Sequence, residues 1–358
     1  NGAILFMPDS MRVYVGTYTG GSSEGIYVYN LNMSSGELTY ESHIAGVENP
    51  SFLALSPDNR HLYAVNENED GGVTSFAVAS GSGELTEINR KPSGGSLPCS
   101  IMVDRTGSSV LVANYGSGTV SAFPVLENGS LGDSATFIQH EGSSVDPNRQ
   151  EGPHAHMIIT DPAHKYAFVP DLGMDRIMIY QLEPETARLT AHEPAYVQVR
   201  AGGGPRHLDF HPTVRFAYVI NEMGNAITAF EYEASTGSLS EIQMVNTLPV
   251  DFRGSSSTAD IHITPSGDFL YGSNRGHDSL AIFSIDQTTG LLTPLAIEST
   301  RGENPRNFGI DPTGTFLLVA NQSTDSVTTF RIDQTSGALK EVSIAEVPTP
   351  VCLKYVAV

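Results

Sequence analysis

The segment PSFLALSPDNRHLYAVNE (50–67) holds two short apolar runs around a Pro-Asp-Asn turn, the signature of a β-hairpin. It returns as PCSIMVDRTGSSVLVANY (98–115), PRHLDFHPTVRFAYVINE (205–222) and PRNFGIDPTGTFLLVANQ (305–322). Looser copies run AHMIITDPAHKYAFVPDL (155–172) and TADIHITPSGDFLYGSNR (258–275). A third strand follows, as in GTVSAF (118–123) and SLAIF (279–283). A fourth comes after a turn centred on Gly36, Gly83, Gly129, Ala187, Gly237, Gly290 or Gly337. Seven such turns between 36 and 337 set a period of about 50 residues, which suits four-stranded propeller blades and is too long for a β-solenoid. No stretch sustains a 3.6-residue apolar period long enough for a core helix.

Six hairpins are continuous, and the seventh is expected from both ends of the chain. TPVCLKYVAV (349–358) supplies its first strand and MRVYVGTY (11–18) its second. The reading is all-β: a seven-bladed β-propeller whose ring is closed by the C-terminal strand joining the N-terminal strands, leaving no open sheet edge. Residues 1–10 form an N-terminal extension and 11–358 a single domain.

In each blade the start of the first strand and the end of the second lie at the same end, so these positions converge around the axis. The opening residues are Ser51, Cys99, His156, Arg206, Ala259, Arg306 and Val351. The closing pairs are Asn66-Glu67, Asn114-Tyr115, Pro170-Asp171, Asn221-Glu222, Asn274-Arg275 and Asn321-Gln322. The recurring asparagine suits a structural turn bond in each blade. Its neighbour varies and is mostly ionisable, as at a ligand site. His156, Arg206, Glu222, Arg275 and Arg306 form the candidate cluster, with three arginines drawn from only 19 Lys and Arg.

Forty acidic residues against 19 basic give a formal charge of −21, and no basic run offsets it, so nucleic acid is not an expected partner. A small anion remains possible wherever a few arginines converge. No segment approaches the roughly 18 apolar residues that span a bilayer, so no membrane association is expected. The opening NGAILFMPDS (1–10) lacks a basic n-region and a cleavage pattern, so it does not read as an intact signal peptide, and the expected compartment is the cytoplasm. Cys99 and Cys352 make no metal or disulfide framework and are expected as free, buried thiols.

Other motifs carry less. His154 and His156, two apart on a strand, would share a face, but no third metal ligand lies at short spacing, so a satisfied or substrate-binding pair is expected instead of a metal site. AGGGP (201–205) leads into a strand, not from a strand into a helix, so it is no dinucleotide loop. No GxSxG elbow is present. The serine run 254–257 reads as a mobile loop. His207, His211 and His262 fall on first strands as packed residues, and His207, beside Arg206, is also carried as a substrate contact.

With GPHAH (152–156), VPDLGMDRI (169–177), GGGPRHLDFHP (202–212), YVINE (218–222), ADIHITPSGDFLY (259–271), NRGHDSLAIF (274–283) and NPRNFGIDPTG (304–314), the chain resembles the propeller-type lactonases. That family contains bacterial 6-phosphogluconolactonase and fungal carboxy-cis,cis-muconate cyclase. The resemblance extends from about residue 11 to the end. It implies a catalytic cluster of His156, Arg206, Glu222 and Arg275. From the convergent slots and their neighbours, His154, Glu67, Asp171, His207 and Arg306 are expected as substrate contacts, and no metal or other cofactor is expected. The implied reaction is hydrolysis of a small anionic sugar lactone, 6-phosphogluconolactone in particular, by a monomer or weak homodimer. Glu222 or His156 would take the proton of the attacking water, and Glu222→Gln would leave stability nearly unchanged, as for a charge in a solvated cleft. Two rivals stay open: a cyclase forming a muconate lactone with the same residues, and a non-catalytic propeller that binds a partner on one face.

Overall fold

The computed structural model describes residues 8–358, in which twenty-eight strands form seven four-stranded antiparallel sheets. Six sheets are built from consecutive strands, spanning 53–92, 98–139, 159–198, 205–246, 257–299 and 305–346; we call these blades 2 to 7. Blade 1 combines Ser10–Thr17, Gly25–Asn32 and Leu38–Ala45 with Pro350–Ala357, which lies innermost. Closure is antiparallel, from Met11↔Ala357 to Thr17↔Pro350. Blade 1 begins at Ser10, which already pairs with Asn32, so strand structure starts one residue inside the expected extension. Residues 1–7 of that extension lie outside the described residues. No described helix is long and apolar enough to cross a membrane.

The second strands read as unbroken apolar runs because both of their faces are buried. In blade 7, Leu317 and Val319 pack against blade 6, whereas the alternating Phe316, Leu318 and Ala320 pack against blade 1. The same division gives seven apolar clusters, one at each junction between neighbouring blades. Outer turns lock onto the preceding blade. Gly290 has φ +71°, its Cβ would stand 2.4 Å from the Phe216 ring, and its carbonyl accepts the Tyr218 hydroxyl at 2.9 Å. A side chain there meets both a backbone and a packing penalty.

The recurring asparagines are structural. Asn221 Nδ2 donates to Thr228 Oγ1 at 2.9 Å, Asn321 makes the equivalent bond to Thr328, and Asn274 donates to Ser279 Oγ on the neighbouring strand. Blade 4 departs from the expected hairpin. Its innermost strand is only Ile159–Thr160, so His154 and His156 precede it. The serine run is also more ordered than expected: Ser257 opens the innermost strand of blade 6, and Ser256 Oγ donates to the Arg275 carbonyl at 2.9 Å.

Candidate active site

A β-bulge at the start of the innermost strand aims residues into the channel. The register shifts between Pro98 and Ser100, Pro205 and His207, and Pro305 and Asn307, leaving Cys99, Arg206 and Arg306 as extra residues. Val351 is extra in the same way in blade 1. A bulged residue loses its ladder partner and points off the sheet. Cys99, Arg206, Arg306 and Val351, with Ser51 and His156, line one small cavity on the axis, together with Glu67.

Glu222 is the electrostatic centre. Its Oε1 accepts from Arg149 Nη2 at 2.7 Å and its Oε2 from Arg206 Nε at 3.0 Å, and Arg275 Nη2 forms an ion pair with the same Oε2 at 2.8 Å. Glu222 is only 6% exposed, which corrects the expected solvated cleft. Burial pushes its carboxyl upward, but the charges of Arg275, Arg206 and Arg149 outweigh that and hold it at about 2. Burial and the like charges of Arg275 and Arg306 pull Arg206 down to about 10, which still leaves it charged at neutral pH. Burial, reinforced by the charges of Arg206 and Arg306, holds His156 well below the ordinary imidazole value, so its ring is neutral.

Arg306 differs from the other arginines. Its guanidinium lies 3.9 Å from Glu67 Oε1 and 5.4 Å from the Tyr18 ring centre, and it makes no hydrogen bond among the described residues. Glu67 is held by the Tyr18 hydroxyl at 2.8 Å and by Ser51 Oγ.

Three expected substrate contacts are placed differently. Asp171 is fully buried: Oδ1 accepts from the backbone N–H of His154, Gly173 and Met174, and Oδ2 lies 2.6 Å from His140 Nδ1. It pairs with Ala155 as Asn221 pairs with Pro205, so it holds the structural asparagine position, and Leu172 takes the variable one. The expected pair Pro170-Asp171 was one residue out of register, and one residue along a strand reverses the face. His154 stacks on Tyr115 with ring centres 4.6 Å apart and has Nδ1 2.9 Å from the Tyr115 carbonyl, so it buttresses that tyrosine from outside the cavity. His207 is 3% exposed and lines the same cavity, with both ring nitrogens already engaged by Asp260 and Arg206. It forms, with Phe52 and Asn307, a wall shared with a second chamber further along the axis.

Two residues of the site were missed. Arg149 comes from the segment between blades 3 and 4, where Asp146 Oδ1 accepts its backbone N–H; no repeat signal marks that loop. Tyr18 was legible. Thr17 pairs with Pro350 as Asn221 pairs with Pro205, so Thr17-Tyr18 is the seventh closing pair. Among the described residues, no group of three or more His, Cys, Asp or Glu is arranged to hold a metal ion.

Comparison with known proteins fits this geometry. Residues 12–355 match the family described as lactonase, 7-bladed beta-propeller. The chain is 40% identical to the 6-phosphogluconolactonase of Bacillus subtilis, over 82% of this chain and 83% of that one. It is 36% identical to the 6-phosphogluconolactonase of Formosa agariphila, over 83% and 85%. The structure of a periplasmic gluconolactonase from Pseudomonas aeruginosa superposes with a TM-score of 0.93 at 35% identity, covering 97% of this chain and 99% of that one. With the match spanning the whole ring of blades, the chain belongs to the seven-bladed β-propeller lactonase family.

Proposed function

We propose that the protein hydrolyses a sugar lactone bearing an anionic group, with 6-phosphogluconolactone as substrate. One observation carries the reading: Arg149, Arg206, Arg275 and Arg306 outnumber the carboxylates around them, Glu222 and Glu67 in direct pairing and Asp260 behind Arg206, a surplus of positive charge in a chain of net −21. A phosphate monoester brings about −1.5 to −2 charges and three acceptor oxygens, which suits guanidinium forks. Arg306, with its donors uncommitted, is the residue assigned to hold that group.

In the proposed reaction neutral His156 accepts a proton from water as the water oxygen bonds to the lactone carbonyl carbon. An anionic substrate over the arginines offsets the charges that depress His156 and makes it a stronger base. Arg206 and Arg275 stabilise the oxyanion. The bond from the carbonyl carbon to the ring oxygen then breaks, and that oxygen leaves as a hydroxyl with the proton from His156. Glu222, held at about 2, is too weak a base for this task and serves as the counter-ion that fixes three guanidiniums.

A phosphorylated sugar does not cross a bilayer unaided, so this reading places the protein in the cytoplasm. The Pseudomonas relative, whose name is periplasmic gluconolactonase, favours the second reading of an unphosphorylated gluconolactone.

Turnover above spontaneous hydrolysis, measured on gluconolactone and its 6-phosphate, tests both. Arg306→Met is expected to lower kcat/KM for the phosphate ester by about 10- to 100-fold, the value of a charged hydrogen bond, while changing gluconolactone turnover less than about threefold. Equal loss on both substrates, or no preference for the phosphate in the wild-type protein, would remove the phosphorylated substrate. A wild-type protein inert on every lactone would remove the enzyme reading.

A further inference from the structure

Behind the arginine cluster runs a chain of buried polar side chains from three blades. His207 follows Arg206 on the innermost strand of blade 5, with Nε2 3.3 Å from Arg206 Nη1 and Nδ1 2.7 Å from Asp260 Oδ1. Asp260, in the bulge of blade 6 and 2% exposed, also accepts from Asn307 Nδ2 of blade 7 and from the backbone N–H of Phe308 and Ile261. Its Oδ2 lies 3.2 Å from His262 Nε2.

The donors and acceptors in this chain leave one solution. A guanidinium only donates and a carboxylate only accepts. His207 between them must therefore be neutral, donating from Nδ1 to Asp260 and accepting at Nε2 from Arg206. The opposite tautomer would set donor against donor at Arg206 and acceptor against acceptor at Asp260. Asp260 thus selects the tautomer, as a carboxylate behind a metal-bound or catalytic histidine does.

The consequence falls on Arg206. Its Nε is tied to Glu222, and its Nη1 to His207 and the Ala259 carbonyl. Among the described residues, Nη2 makes no hydrogen bond, so it is the nitrogen left for a substrate. A fork held at Nε and at Nη1 has its plane set, and Nη2 is aimed. Without the His207 acceptor the plane is set on that side by the Ala259 carbonyl alone. The His207 ring also meets His156 edge-on at 5.4 Å.

We propose that His207 and Asp260 form a positioning pair that aims Arg206 at the reacting carbonyl, neither of them touching substrate. The proposal rests on the site assignment above. Its rival is a purely structural network tying the inner strands together, since Asn307 Oδ1 also accepts the Leu353 N–H of blade 1 at 2.9 Å.

Two substitutions at one position separate the readings. His207→Asn keeps a donor near the Nδ1 position for Asp260 but removes the acceptor for Arg206. His207→Gln keeps an acceptor near the Nε2 position but removes the donor to Asp260. A positioning role predicts opposite rankings. His207→Asn should keep its Tm within about 2 °C of wild type yet lose about tenfold in kcat, the value of one hydrogen bond to a charged group, with KM changed less than twofold. His207→Gln should melt lower and lose less kcat. Glu222→Gln, run alongside, reports on the site itself. If it is inactive while His207→Asn has wild-type kcat, the positioning role fails and the site stands. If activity follows stability across the two His207 variants, the network is structural and the proposal is overturned. If Glu222→Gln turns over normally, the site assignment falls and the positioning pair with it.

Discussion

Glu222→Gln offers the sharpest single test of the site's electrostatics, because burial reverses the stability expectation drawn from the sequence. The carboxylate is 6% exposed and ion-paired to three guanidiniums at 2.7, 3.0 and 2.8 Å. Its carboxyl is held at about 2 instead of near 4.5. At about 1.4 kcal/mol per pH unit, that difference is worth about 3 kcal/mol of folding stability at neutral pH. The sign follows from a lowered folded-state value. The stabilisation is fully present above pH 4.5, shrinks to roughly half at pH 3, and is lost as pH falls through about 2. The neutral amide keeps the shape and forfeits this charge-dependent part. In thermal melts the variant should therefore unfold about 4 °C below wild type at pH 7, for a chain of this size, and about 2 °C below it at pH 3. Turnover should vanish at both. A variant as stable as wild type at pH 7, or a deficit that does not narrow toward pH 3, would refute the burial and ion-pair argument. Full activity would refute the site.

Three further expectations follow from the same geometry. Arg149→Ala removes the one arginine of the cluster that is 43% exposed, so it should raise KM several-fold while moving stability by less than about 1 kcal/mol. Cys99 and Cys352 are both buried and free, in blades separated by blade 2, so unfolded protein should titrate two thiols with or without reductant. Zero thiols without reductant would mean that the blade order is wrong. Because the proposed chemistry runs through His156 and arginines, exhaustive chelation should leave turnover unchanged; loss restored by one added metal would overturn that mechanism.

The blade count, the closure from both ends and the convergence of His156, Arg206 and Arg306 on one cavity were legible in the sequence. They depend on the spacing of repeats, and a ring of equal blades turns equal spacing into equal position. The register of blade 4 was not legible, because a carboxylate, Asp171, stands where other blades carry an asparagine and accepts from backbone N–H groups instead of donating an amide; the Ala155–Asp171 bridge reveals the position. Arg149 was hidden for a related reason: it lies in an inter-blade loop with no counterpart in the repeat. The ionisation of Glu222 and the aiming of Arg206 by His207 and Asp260 belong wholly to tertiary structure. Each depends on charges and hydrogen bonds between residues as far apart as 149 and 222, or 207 and 260. A repeat can place such residues around one axis. Whether a buried carboxylate meets three guanidiniums or water is decided by distances of an ångström or two, which the packing of neighbouring blades sets.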